Sequence, residues 1–273
     1  EGVQLFRATT SVPCIPAVYE PCVVAIVSGS KEAILDGERH IYGEDKYLCC
    51  PMSMPVQAGT PNASAKNPLF GVFISLDQRV MTELTIEMGN VTNIPTKLIK
   101  QTNAQGIKLA HWNHEFSDTL SRLVELLPNA MDTAVLGNVR LREVLYAVLK
   151  GDAGDFMKGA FGAGNTIARS IAHISEHLDE PISIDDMARR AGMSRAVFHR
   201  KFKQATTMSP IQFVKSMRLN NAAMKIASGV AINEAALEVG YLSPSQFSRE
   251  FKRTYGQSPR QWSDTQRLPT GFL

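Results

Sequence analysis

The sequence predicts an α+β protein. A small antiparallel β-barrel with two flanking helices comes first, followed by an all-α module of two helix-turn-helix motifs joined by a linker helix. Three observations predict it. Residues 18–75 carry short β-branched and aromatic runs punctuated by turn formers. Beyond about residue 112 the apolar period becomes helical. The C-terminal part then repeats itself at a fixed offset of 49 residues.

The strand signals come in order. Val23–Val27 is β-branched and lies between Pro21 and Ser28-Gly29-Ser30. Lys31–Leu35 and Glu38–Tyr42 flank Asp36-Gly37, a dipeptide suited to a two-residue hairpin that needs positive φ. A turn at Gly43 leads into Tyr47–Met52, and Leu69–Leu76 is a further apolar strand. Strands this short and closely spaced favour a small sandwich or barrel, which either encloses a ligand or is filled by its own side chains. Phe116, Leu120, Leu123 and Leu127 then recur at helical spacing, and Leu136, Val139, Leu145 and Leu149 lie in a second such stretch. These helices cover the barrel, and the first row of four is the expected dimerisation face. The expected divisions are 1–110 for the sensor barrel, 111–150 for its helices, 151–165 for a linker and 166–267 for the DNA-binding part. The linker is expected to be a flexible tether because glycine occupies positions 151, 154, 159, 162 and 164.

Composition limits the function classes. The chain has 273 residues, 44% hydrophobic and 20% charged, which excludes a wholly disordered or fibrous protein. Its longest apolar run, Cys22–Val27, is far short of a membrane span, and EGVQLFRATT does not read as a secretory signal. Cys14, Cys22, Cys49 and Cys50 are too few for a disulfide framework. A bacterial cytoplasmic location without a membrane partner is expected. The net charge of +3 conceals an asymmetry: residues 1–160 sum to −3 and residues 161–273 to +6. A basic half beside a mildly acidic one points to a polyanion as the partner of the C-terminal module.

The repeat says which polyanion. Ser194, Phe198, Arg200, Phe202, Lys203, Ser209 and Pro210 recur as Ser243, Phe247, Arg249, Phe251, Lys252, Ser258 and Pro259. Each copy reads as helix, tight turn, helix. In the first, Ser183 caps, Gly192 turns and Ser194 caps again; in the second, Asn233 caps, Gly240 turns and Ser243-Pro244 restarts. Phenylalanines four apart face inward. That turns Arg195, Ala196, His199, Arg200 and Lys203 outward in one copy, and Pro244, Ser245, Ser248, Arg249 and Lys252 in the other. An arginine fork matches guanine O6 and N7, while lysines and serines hold phosphates. Ser209-Pro210 begins a connecting helix of ~17 residues, about 25 Å long. Adjacent major grooves on one face of a duplex lie about 34 Å apart, so such a spacer suits two recognition helices reading neighbouring grooves.

With these residues on the page, residues 166–267 resemble the two-motif DNA-binding domain of the AraC/XylS family of bacterial transcription regulators. The matching stretches are Ile184–Ala188, Gly192–Ser194, Phe198–Phe202, Ser209-Pro210, Arg218-Leu219, Ala235–Tyr241, Ser245–Phe247, Phe251-Lys252 and Gly256–Pro259 with Trp262. The resemblance implies that Arg195, Ala196, His199 and Arg200, and Ser243, Pro244, Ser245, Gln246 and Arg249, contact bases, with Ser194, Lys203, Ser248 and Lys252 completing the expected DNA-binding set. Ala196 is too short for a polar base contact and Pro244 has no donor, so the second motif is expected to position phosphates more than read sequence. The N-terminal half is similar to the cupin-like effector domains of that family, which implies a small-molecule effector and a homodimer. Promoter DNA and RNA polymerase complete the expected partners.

Other features are weaker. His40, Tyr42 and Tyr47 are candidate pocket residues. His173 and His177 sit four apart on a helix without an evident third metal ligand. The cysteines are either core packing or redox and electrophile sensors. No cofactor, metal site or catalytic set is expected. A cupin-type enzyme carrying a DNA-binding appendage is the alternative, although the paired histidines of a metal cupin are missing and His40 stands alone.

Overall fold

The computed structural model describes residues 2–92, 106–162 and 165–266. Among these described residues, nine strands form two antiparallel sheets. The five-stranded sheet has the order β1 (Val3–Ala8), β8 (Leu69–Ser75), β3 (Cys22–Ser28), β6 (Lys46–Cys50), β9 (Lys108–His111). The four-stranded sheet has the order β2 (Val12–Tyr19), β7 (Met54–Thr60), β4 (Ser30–Leu35), β5 (Glu38–Gly43). The two sheets do not close into a continuous barrel; the N-terminal module is a cupin-like pair of sheets. The hairpin at Asp36-Gly37 forms as its sequence requires, with φ of 50° and 82° and Leu35 paired to Glu38.

Cys22–Ile26 of β3 is buried on both faces, which explains its unbroken apolar run. One face looks toward the other sheet. The opposite face is covered by α1 (Gln78–Thr92), α2 (His114–Val124), α3 (Ala130–Lys150) and α4 (Gly154–Phe161). Asn113 caps α2 by accepting from the Phe116 amide, which sets the Phe116 ring 4.2 Å from that of Tyr47 in a stacked pair.

Helix α2 therefore spends its apolar row inside the protomer. Phe116, Leu120 and Leu123 are buried under the sheet, so they are not the dimerisation face that the periodicity suggested; only Leu127 is exposed. The unpartnered apolar stripe lies instead on α3. There Met131 is 75%, Val135 70% and Val139 55% exposed, spaced four apart on one side of the helix.

The glycine-rich stretch is also corrected. Most of it is α4, which buries Phe156, Met157, Ala160 and Phe161. Gly154 is there for space: a Cβ would lie 2.2 Å from the Leu149 carbonyl oxygen, whereas one at Gly159 would meet nothing within 4 Å.

The C-terminal module comprises α5 (Thr166–Glu176), α6 (Ile184–Arg190), α7 (Arg195–Thr206), α8 (Pro210–Ala227), α9 (Ile232–Glu238), α10 (Pro244–Tyr255) and α11 (Pro259–Thr265). Helix α8 has a complete capping box, Ser209 with Gln212, and proline at its first position. Helix α9 starts after Ala231, so Asn233 lies inside the helix rather than at its cap. Gly229, at φ 99°, turns the chain directly from α8 into α9, so that Ala235 and Ala236 are buried. Gly154→Ala is expected to lower stability by about 1–3 kcal/mol through overpacking, and Gly159→Ala to raise it by about 0.5–1 kcal/mol. Thermal or urea unfolding of both variants checks this; a structureless tether would leave both silent.

Candidate nucleic-acid interface

Each motif is built around inward-facing aromatics. Phe198, Phe202, Phe247 and Phe251 are fully buried, with ring centroids 5.5 Å apart in the first pair and 5.4 Å in the second. Burying these rings drives each recognition helix onto its neighbours and leaves its opposite side in solvent. Ser194 caps α7 by accepting from the Val197 amide, and Ser243 caps α10 by accepting from that of Gln246.

The turns are not identical. Gly192 and Met193 donate to Arg189 and Ala188, and Gly240 and Tyr241 donate to Leu237 and Ala236. These equivalent bonds are offset by 48 residues, whereas the recognition helices are offset by 49. The second turn is thus one residue longer, and the additional residue is Leu242, which is 89% exposed beside the N-terminus of α10. The repeat on its own hid this, because its seven identities begin at Ser194 and Ser243.

Ser194, Arg195, Ala196, Arg200 and Lys203 are exposed on α7 and its cap, with His199 half-buried between them. On α10, Pro244, Ser245, Gln246, Ser248, Arg249 and Lys252 are exposed and the cap Ser243 is half-buried. The structure therefore brings the expected residues together on the outer face of each helix. Their freedom differs. Arg195 is paired with Asp185 at 3.2 Å, while Arg200, Lys203, Arg249 and Lys252 have no ion-pair partner among the described residues. His199, Arg200 and Lys203, together with Gln204 and Ser209, line an open groove of 420 Å³. Gln204 and Ser209 were missed as groove residues because the first follows Lys203 without a helical-face signal and the second reads as a cap.

Glu250 was also missed. It accepts from the Tyr241 hydroxyl at 2.9 Å and from Gln246 Nε2 at 3.3 Å, and pairs with Lys215 of the linker helix at 3.3 Å. Partial desolvation raises its pKa, but these hydrogen bonds and Lys215 together hold it below the usual carboxylate value. The carboxylate thus steadies the exposed Gln246 side chain and ties α10 to α8.

The expected pocket residues separate. Tyr47 lies under α2, outside the space between the sheets. His40 is half-buried on β5. Tyr42 is buried, and its hydroxyl and that of Tyr19 lie against each other with no further hydrogen-bond partner among the described residues. Near them, Lys31 places Nζ 5.0 Å from the Phe6 ring centre and 5.7 Å from that of Tyr19. Desolvation lowers the Lys31 pKa, and no carboxylate pairs with it among the described residues, since neighbouring Glu32 is bonded to Arg39. Sequence reasoning passed over Lys31 because a strand lysine ordinarily points to water.

The four cysteines are free, and Cys22, Cys49 and Cys50 are buried. Burial, reinforced by Glu32, pushes Cys14 up to about 11, and burial raises Cys49 and Cys50 further. These thiols are protonated at neutral pH, which disfavours electrophile sensing and fits core packing. The rings of His173 and His177 lie 4.2 Å apart, but Arg190 Nη1 is 3.3 Å from His173 Nε2 and the His177 Nδ1 sits 2.9 Å from the His173 carbonyl oxygen. No group of three or more His, Cys, Asp or Glu is placed to hold a metal among the described residues. Nor is any described helix long and apolar enough to cross a membrane.

Comparison with known proteins accounts for both halves. Residues 1–156 match the family model described as AraC-type transcriptional regulator N-terminus, and residues 187–265 match a helix-turn-helix domain. The regulatory protein SoxS of Escherichia coli is 33% identical over 90 residues, which is 33% of this chain and 84% of that protein. Over nearly the whole chain the fold is similar to ToxT of Vibrio cholerae, solved with (E)-4-(8-methylnaphthalen-1-yl)but-3-enoic acid bound. The TM-score is 0.63 at 12% identity, covering 97% of this chain and 99% of that one. A second ToxT structure, with an unsaturated fatty acid bound, gives a TM-score of 0.56 at 13% identity over 96% and 94% of the two chains.

Arg200→Ala is expected to cost about 1–3 kcal/mol of DNA binding and to relax preference at one base position. Lys203→Ala is expected to weaken all sequences alike and to reduce the slope of log K against log salt by about one. Binding-site selection and salt titration with both variants check this.

Proposed function

Because the chain belongs to the AraC-type transcriptional regulators, and is a DNA-binding regulator with an N-terminal ligand-binding domain, we propose that it is a cytoplasmic, non-enzymatic homodimer switched by an apolar carboxylic acid. The single observation that carries the ligand class is Lys31. An ammonium set against aromatic rings, with no carboxylate paired to it and two tyrosine hydroxyls that have only each other close by, lacks an anion. A carboxylate there would pair with Lys31 and accept from Tyr19 or Tyr42, and its hydrocarbon part would lie among Phe6 and the apolar side chains between the sheets. That ToxT, of similar fold, has carboxylic acids bound in two structures supports the same class. The ligand shifts the regulator only as far as it binds one arrangement better than another.

The exposed stripe of Met131, Val135 and Val139 supports α3 as the surface on which two copies meet. A dimer carries four motifs and so reads a site longer than one chain can cover. RNA polymerase is the further partner that promoter-bound regulators of this family would engage.

Two measurements test the proposal. Calorimetric titration with oleic acid should show saturable binding, weakened about tenfold or more in Lys31→Met, which removes the ion pair while keeping the side chain's bulk. Equal affinity in wild type and variant, or equal affinity for the methyl ester, refutes the assignment. In sedimentation, Val135→Asp should shift the dimer to monomer; a dimer that persists unchanged places the contact elsewhere.

A further inference from the structure

Asn220 sits near the middle of the linker helix α8 and is only 7% exposed. Its Nδ2 donates to the carbonyl oxygens of Ala17 and Val56, both at 2.8 Å, and its Oδ1 accepts from the Tyr255 hydroxyl at 2.6 Å. Ala17 and Val56 face each other across β2 and β7 of the sensor. Tyr255 is the last residue of the second recognition helix. One side chain thus joins three units: the sensor sheet, the linker and the second DNA-reading motif. Two further contacts run alongside. The Val18 amide of β2 lies 3.2 Å from Met224 Sδ, one turn farther along α8, and Ile15 of β2 packs against the core of the second motif.

A buried amide is a poor way to add stability, because an apolar side chain of similar volume would pack there without needing partners. Its effect is on register. Sliding α8 along the sheet by one residue, or rotating it by a fraction of a turn, would leave two carbonyl groups, an amide and a hydroxyl without these partners in a largely buried interface, at a cost of up to about 1–3 kcal/mol for each group that water does not reach. Only one placement of α8 on β2 and β7 avoids this.

We propose that Asn220 is a positioning residue that registers the second recognition helix to the sensor sheet, so that any displacement of β2 is carried to α10. Tyr19, whose ring centre lies 5.7 Å from Lys31 Nζ, is two residues beyond Ala17 on the same strand. The inference rests on the DNA-binding reading and not on the chemistry of the effector, so its test uses DNA alone. Coupling between two sites is reciprocal, and DNA held by α10 must therefore be felt at β2.

The experiment is hydrogen–deuterium exchange on the full chain, with and without a duplex that the wild-type chain has selected from a random pool. In wild type the duplex should protect α7 and α10 and also change exchange in Val12–Tyr19 and Met54–Thr60 by about fivefold. In Asn220→Ala and in Tyr255→Phe, α7 and α10 should remain protected while the response of the two strands is lost. An amide with only a structural role would lower the thermal midpoint and leave that response in place. Tyr255→Phe keeps both bonds from Asn220 to the sheet, so it decides the matter if Asn220→Ala fails to fold. The proposal is overturned if the strands of the wild-type chain do not respond to DNA, or if they respond equally in Tyr255→Phe. Failure of the DNA-binding reading is distinguishable, since α7 and α10 would then be unprotected.

Discussion

The arrangement of this protein depends on the burial of one helix. Helix α8 is covered on most of its surface: Phe213 and Met217 serve the first motif, Ala222, Ala223 and Ile226 the second, and Asn220 faces the sensor sheet. At 18 residues it spans about 27 Å, and a helix of that length held along several sides has little freedom to bend. Phe202 meets Phe213 at 5.3 Å, and Trp262 donates to the Ala223 carbonyl oxygen at 3.0 Å. The spacing of the two recognition helices is therefore a property of α8, and through β2 and β7 it is also a property of the sensor.

The sensor end follows from the same helix. Strand β2 lies at the edge of its sheet, where unpaired backbone groups invite unwanted pairing. Pro13 and Pro16 remove two donors from it, and α8 packs against it. This explains how a proline-rich strand persists in a sheet, since proline is tolerated at edges and bulges, and β2 has an irregular register between Val12 and Ile15. An edge strand held by a neighbouring module is also easier to displace than a central one. The position suits a segment that must carry information between sensor and DNA-binding part.

Charge completes the division of labour. Several acidic side chains of the C-terminal module are held by neighbouring cations: Asp185 by Arg195, Asp186 by Arg189, Glu238 by Lys225 and Glu250 by Lys215. Among the described residues Arg200, Lys203, Arg249 and Lys252 have no ion-pair partner, and they lie on the two faces proposed to meet a duplex. In the N-terminal module, half-buried Lys31 lies among rings with no carboxylate paired to it among the described residues. On the proposed reading, two cationic sites in one chain would select anions of different kinds, an extended polyanion outside and a small apolar one inside.

Local chemistry by itself determined the parts that local chemistry controls. Asp36-Gly37 specified a hairpin because only certain residues accept positive φ. Ser194, Ser243 and Ser209-Pro210 specified helix starts because a cap satisfies its own helix. The phenylalanine spacing specified which faces of α7 and α10 remain in solvent, and the repeat specified that there are two of them. Tertiary structure decided what depends on a partner distant in sequence. An apolar row does not say what it will meet, so Phe116, Leu120 and Leu123 went under the sheet and α3 was left uncovered. Glycines do not reveal whether they give freedom or room, and Gly154 gives room. A lysine on a strand, an asparagine within a helix and a leucine in a turn have no local signature of burial or exposure. The places of Lys31, Asn220 and Leu242 were set only when two sheets and a helix closed around them.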